Sequence, residues 1–147
     1  MTRYADIEDL PIVCWLCIMA LEELADQLPA KPDPDRVIDA ILSDWACAPC
    51  IILENQGEII GFYGLTTYRP KYSNDTVLGD YMLYVKPDKR NYKALVLLSI
   101  AARDVADKFG LALDLNFITP ANLNIKTRFL EKMGAKITGV KGLYDGR

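Results

Sequence analysis

The stretch VLGDYMLYV (77–85), KPDKR (86–90), NYKALVLLSIAARDVADKF (91–109), Gly110 and LALDLNFI (111–118) decides how this chain folds. Residues 77–85 are rich in Val, Leu and Tyr, and Pro87 stops them, as expected of a strand. Residues 91–109 carry Leu95, Leu98, Ala102, Val105 and Phe109 on one face at helical spacing, and Gly110 supplies a C-cap. Residues 111–118 alternate strictly. Leu111, Leu113, Leu115 and Phe117 face one way; Ala112, Asp114, Asn116 and Ile118 face the other. Strand, long helix and strand form one βαβ crossover with parallel strands.

Upstream, Thr2 to Ala5 reads as a short strand. Asp9-Leu10-Pro11 opens a helix, with Asp9 as cap, that runs to Leu28 and stops at Pro29. Asp33-Pro34 starts a second helix, to Trp45, with Val37, Ile38, Ile41 and Leu42 as its apolar stripe. Residues 50–54 and 58–68 are strands joined by the turn Asn55-Gln56-Gly57. Downstream, Asn122 to Met133 is a helix capped by Gly134. Ala135 to Val140 is a strand, and Leu143-Tyr144 a stub of another. The order β-α-α-β-β-β-α-β-α-β, without repeats, predicts one mixed α/β domain over 1–147. Its sheet is mostly antiparallel and flanked by helices.

The 147 residues suffice for one core. Hydrophobic residues make up 51% and charged residues 25%, an ordinary balance for a folded domain. A net charge of -3 argues against a nucleic-acid footprint and agrees weakly with a cationic substrate. The chain has no histidine, which excludes Ser-His-Asp and Cys-His hydrolases and His-ligated metals. The most apolar run, Leu10 to Leu21, falls short of the about 20 residues that span a bilayer. With acidic residues ahead of it, it also fails as a signal peptide, so a cytoplasmic setting is expected.

Cys14, Cys17, Cys47 and Cys50 form two C-x2-C pairs separated by 29 residues, which resembles a zinc site. The first pair lies in an apolar helix rather than a tight turn, and the gap exceeds ribbon spacing. Cys47-Ala-Pro-Cys50 also resembles a redox dithiol, but a strand follows it where a thiol-activating helix is needed. Plain core and loop cysteines are the preferred reading, with no metal expected.

Four stretches carry a family likeness. RYADIEDLP (3–11) is similar to R-x-A-x-x-x-D-L-P. GEIIGF (57–62) resembles a hairpin with paired hydrophobics and Gly. VKPDKR (85–90) resembles V-x-P-x-x-R, and FLEKMGA (129–135) is similar to L-Y-E-K-x-G-F. Together, in order, on the expected elements, they resemble the GNAT N-acetyltransferases over nearly the whole chain. The closing segment looks most like small phage-encoded members.

The resemblance implies that the loop after the fourth strand cradles the pyrophosphate of acetyl-CoA, with backbone N–H groups and a helix N-terminus facing it. The family's R-G-x-G-x-G/A here reads Arg90-Asn91-Tyr92-Lys93-Ala94-Leu95. The Arg is kept and the glycines are lost, so side chains could crowd the cradle. Lys86, Lys89, Arg90 and Lys93 crowd a helix N-terminus that repels cations, unless an anion binds there. The alternative is a solvated charged face. The expected cofactor residues are Leu83, Tyr84 and Val85, by strand addition to the pantetheine, and Arg90, Asn91, Tyr92, Lys93 and Ala94 at the phosphates.

The family's usual acid, a Tyr, falls at Leu130; its usual base, a Glu, falls at Tyr81. Asp80, Asp114, Asn116 and Tyr144 are substitutes, each weighed against an ordinary surface or hydrogen-bonded role. Asp80 needs a bulge to reach the correct face. Tyr81 and Tyr84 read equally as strand packing. The catalytic residues are thus unassigned. The expected activity is transfer of acetyl from acetyl-CoA to an unidentified amine, on a small molecule or protein, by direct attack. The alternatives are a catalytically inactive binding or virion-associated protein, and a zinc-stapled binding module. Only thirteen residues follow Gly134, which leaves a homodimer open.

Overall fold

The structure is a computed structural model and describes residues 1–116 and 123–138. Five strands, β1 (Thr2–Tyr4), β2 (Cys50–Asn55), β3 (Glu58–Tyr68), β4 (Val77–Val85) and β5 (Leu113–Asp114), form one sheet in sequence order. The first four pair antiparallel; β5 joins β4 in parallel after the crossover through α3 (Tyr92–Phe109). The expected class and crossover are therefore present. At the β2–β3 hairpin Gln56 and Gly57 both take positive φ, 52° and 79°, the pattern of a tight two-residue turn that matches strand twist.

Helices cover both faces. Helices α1 (Leu10–Glu23) and α2 (Pro34–Trp45) lie on one. There Val13, Leu16, Cys17 and Ile41 pack on Cys50, Ile52, Phe62 and Tyr84. Helix α3 lies on the other, where Leu98, Ala102 and Val105 pack on Ile51, Leu53, Tyr63, Leu65 and Val85. Strand alternation sorts neighbouring residues into these two cores. A strand buried on both faces is apolar at every position, and residues 50–53 of β2 are all buried. Helix α4 (Leu123–Lys132) packs through Phe129, whose ring meets Tyr92 edge-on at 5.8 Å.

Several boundaries differ from expectation. Helix α1 ends at Glu23, and a separate single turn of 3-10 helix, Ala25–Gln27, reaches toward Pro29. Asp9 does not cap α1 with its side chain. It closes a capping box with Asp6 over the preceding 3-10 turn, Ile7–Asp9, and accepts a bidentate pair from Arg3 at 2.7 and 3.0 Å. Within the strand expected over 111–118, pairing among the described residues is limited to Leu113 and Asp114, opposite Leu78 and Gly79. The alternation itself holds, with Leu111, Leu113 and Leu115 toward the α3 core. Residues 135–138 are irregular rather than strand. Phe117, Ile118, Asn122, the end of that last segment and Leu143-Tyr144 lie outside the described residues.

Candidate active site at the parting of strands four and five

Among the described residues β5 pairs with β4 no further than Gly79. A bulge follows on β4. Gly64 and Leu65, consecutive on β3, pair with Met82 and Asp80, so Tyr81 is an extra residue on β4. The extra residue puts Tyr81 beside Met82 against the α1–α2 core and turns Asp80 to the face of Tyr63. This is the bulge that Asp80 required.

Asp80 sits where β4 and β5 part. The Tyr63 hydroxyl donates to its Oδ2 at 2.8 Å, and the Asn116 backbone N–H donates to Oδ1 at 3.0 Å and Oδ2 at 3.1 Å. Burial pushes its pKa up, against the pull of these hydrogen bonds. Asp80 and Asn116 are thus brought together, with the fully buried Tyr63 as their third member. Tyr63 carried no signal in the sequence, since an apolar strand position explains it equally well.

Asp114 is held differently: the Tyr68 hydroxyl bonds its Oδ2, and that bond pushes the Tyr68 pKa up to about 12. Tyr81 points into the α1–α2 core. A Cβ on Gly64 would lie 2.1 Å from its Cζ, so glycine is what admits the ring. Among the described residues the buried Tyr81 hydroxyl has no hydrogen-bond partner within bonding distance, and the neighbouring Cys50 thiol turns toward the Ile51 carbonyl at 3.9 Å. Burial raises the Tyr81 pKa well beyond its ordinary 10, so it is a poor proton donor or base. Leu130 on α4 is half-buried, and Tyr144 lies outside the described residues.

Beyond Asp80, β4 has an edge that β5 does not use. The Lys86 N–H donates inward to the Ile60 carbonyl on β3 at 2.8 Å. Ladder alternation then turns the backbone groups of Leu83 and Val85 outward and those of Tyr84 toward β3. The N-terminus of α3 follows. Asn91 caps it, its Oδ1 accepting from the Ala94 N–H at 2.8 Å. Asn91, Tyr92 and Lys93 are exposed and Ala94 is buried. Of the side chains at the three glycine positions, Lys93 is exposed, Leu95 is half-buried, and Asn91 occupies the Ala94 N–H at the helix N-terminus. The N–H groups of Tyr92 and Lys93 have no partner among the described residues.

The cation cluster is less bare than the sequence suggests. Arg90 holds Glu23, Lys86 holds Glu58 at 2.6 Å and lies over Trp15, and Lys89 reaches Asp88 at 3.6 Å. Three of the four cations thus have carboxylates within the chain, so their number alone does not require an external anion. Lys93 has none among the described residues. Glu23, at the end of α1, is the partner that sequence reading missed; only the Glu22-Glu23 pair hinted at it.

Cys14, Cys17 and Cys50 are buried and Cys47 is exposed. Burial pushes Cys17 and Cys50 up to about 12, so both stay protonated thiols. Among the described residues no three His, Cys, Asp or Glu side chains group to hold a metal ion, and no helix is long and apolar enough to cross a membrane.

No protein-family profile and no curated protein matches this chain in sequence. Solved structures match it in shape. A predicted acetyltransferase from Clostridium acetobutylicum, solved with acetyl-CoA, has a TM-score of 0.73 at 14% identity, over 99% of this chain and 95% of that one. An aminoglycoside acetyltransferase from an uncultured soil sample, in complex with sisomicin, has a TM-score of 0.69 at 14% identity, over 100% and 96%. A ribosomal-protein-alanine N-acetyltransferase from Brucella melitensis biovar Abortus 2308 has a TM-score of 0.67 at 16% identity, over 98% and 96%. With a parted fourth and fifth strand, a bulge at the parting and end-to-end overlap with these neighbours, the chain has the GNAT acetyltransferase fold.

Proposed function

We propose that this protein is an acetyl-CoA-dependent N-acetyltransferase acting on an amine by direct attack. The observation that carries the reading is the β4 edge at Leu83 and Val85, which no strand pairs among the described residues and where Arg90 takes only the Val85 carbonyl, opening beside the N-terminus of α3. An extended pantetheine amide chain fits such an edge by strand addition. The phosphates then fall beside the N–H groups of Tyr92 and Lys93 and the Lys93 ammonium, where the helix end favours negative charge.

In the reaction the amine nitrogen bonds the thioester carbonyl carbon, the C–S bond breaks, and the thiolate leaves with a proton. The ammonium must lose one proton before attack and a second as the amide forms. Asp80 is the carboxylate at the parting, and its raised pKa brings it closer to the range of a useful base. Both its oxygens already accept hydrogen bonds, so it acts through water. On this reading a backbone N–H of β4 receives the developing oxyanion.

The test is a thermal-shift titration with acetyl-CoA, followed by thiol release across a panel of amines. Binding at a hundred times Kd stabilises the fold by about 2.7 kcal/mol. No shift at millimolar acetyl-CoA, with reversible melting, removes the reading. The rival, an inactive binding component, rests on the changed positions Tyr81 and Leu130; the solved neighbours favour a transferase instead. That rival predicts acetyl-CoA binding without thiol release for any amine, or no binding at all.

A further inference from the structure

Arg90 is the one residue of the loop that keeps the family's identity, and its guanidinium makes three hydrogen bonds within the chain. Its Nε–H donates to the Val85 carbonyl at 2.8 Å. Nη1 and Nη2 grip the two carboxylate oxygens of Glu23 at 2.5 and 2.7 Å. Its plane lies over the Tyr84 ring, 5.2 Å from the centroid. The fork matches a carboxylate in the bidentate geometry that makes such pairs strong and directional. The Glu23 carboxyl is held below its ordinary value by the same bond.

These contacts join three elements. Glu23 is the last residue of α1, Val85 is the last residue of β4, and Arg90 lies just before α3. A phosphate would have to compete with a carboxylate already seated in the fork and with a backbone carbonyl. Lys93, two residues beyond the Asn91 cap, has no such commitment among the described residues.

Resting on the acetyltransferase reading, we infer that Arg90 is a positioning residue rather than a phosphate ligand. Braced by Glu23, it sets the path of the loop and closes the Val85 carbonyl to outside partners. Leu83 is left as the main point for strand addition, and Lys93 as the cation that meets the phosphates.

The two roles predict opposite responses. If Arg90 positions the loop, E23Q and R90Q both weaken acetyl-CoA, about five- to tenfold, and the double variant is no weaker than R90Q alone. R90K does not rescue, because an ammonium cannot make the fork. In steady-state kinetics the KM for acetyl-CoA rises in both single variants while kcat and the amine KM hold. K93Q weakens acetyl-CoA independently of both. If Arg90 is a phosphate ligand, E23Q frees it and tightens acetyl-CoA while R90Q weakens it; that pattern overturns the inference. Calorimetric titration with acetyl-CoA reads all of these.

E23Q keeps the shape of the side chain and carries the test if R90Q does not fold. Wild-type protein that binds no acetyl-CoA refutes the acetyltransferase reading instead. In that event the same variants are compared in melting temperature. Additive losses from E23Q and R90Q then show that no brace exists and refute the inference; non-additive losses uphold the brace.

Discussion

Gly64 and Tyr81 show how one side chain fixes its neighbour. The bulge swings the Tyr81 ring over Gly64, and no Cβ fits beneath it. Gly64→Ala is expected to cost about 1–3 kcal/mol in urea denaturation, and Tyr81→Ala in the same chain to recover much of that loss. An additive double variant would show that the ring is not the obstacle. Asp80 belongs to the same bulge. On the proposed chemistry, Asp80→Asn is expected to lower thiol release by about 10²–10⁴-fold. The wild-type rate should rise with pH along a limb above the ordinary Asp value of 3.8, since burial raises this carboxyl. The variant should lose that limb. A limb that survives in Asp80→Asn assigns the base elsewhere.

At the scale of elements, the starts of α2 and α3 were legible and the strand lengths were not. Asp33 and Asn91 cap α2 and α3 through side-chain bonds to Asp35 and Ala94. Capping is local, joining a residue to a neighbour two or three positions on. Asn91→Ala is expected to destabilise the protein by about 1 kcal/mol, measured as a lower denaturation midpoint with unchanged slope. The loss should be smaller with Asn91→Gly. Strand β5 is the counter-example. Its alternation over 111–118 is strict, yet among the described residues only Leu113 and Asp114 pair as strand. Alternation reports which side chains face a core, whereas pairing depends on where the neighbouring strand runs. Helix α1 likewise ends at Glu23 rather than Leu28, and there Glu23 meets Arg90.

For the whole molecule, the carboxylates with shifted pKa set the pH behaviour. Asp9 and Glu23 are held below their ordinary 3.8 and 4.5, chiefly by hydrogen bonds from Arg3 and Arg90. A lowered pKa stabilises the fold above the unfolded value, and that stability is lost as pH falls through the folded one. Asp80 has the opposite sign. Its contribution is present below 3.8 and is lost as pH rises through its raised pKa. The melting temperature should therefore fall on acidification below about pH 4.5, and less steeply in Glu23→Gln. Equal slopes in the two proteins would show that Glu23 is not paired in solution. Asp80→Asn should separately reduce whatever decline appears as pH rises above 3.8.

The sequence by itself determined the element order as far as α4, the single βαβ crossover, both proline-started helices and the hairpin at Gln56-Gly57. Each depends on residues a few positions apart, through periodicity, caps or backbone freedom. It also marked 83–94 as the region to watch. Only the tertiary structure decided what those residues do. Arg90 meets a carboxylate 67 positions away, and Asp80 reaches Asn116 because one extra residue at Tyr81 reverses its face. Charge pairing and side-chain direction are properties of packed neighbours, and a chain read in order does not contain them.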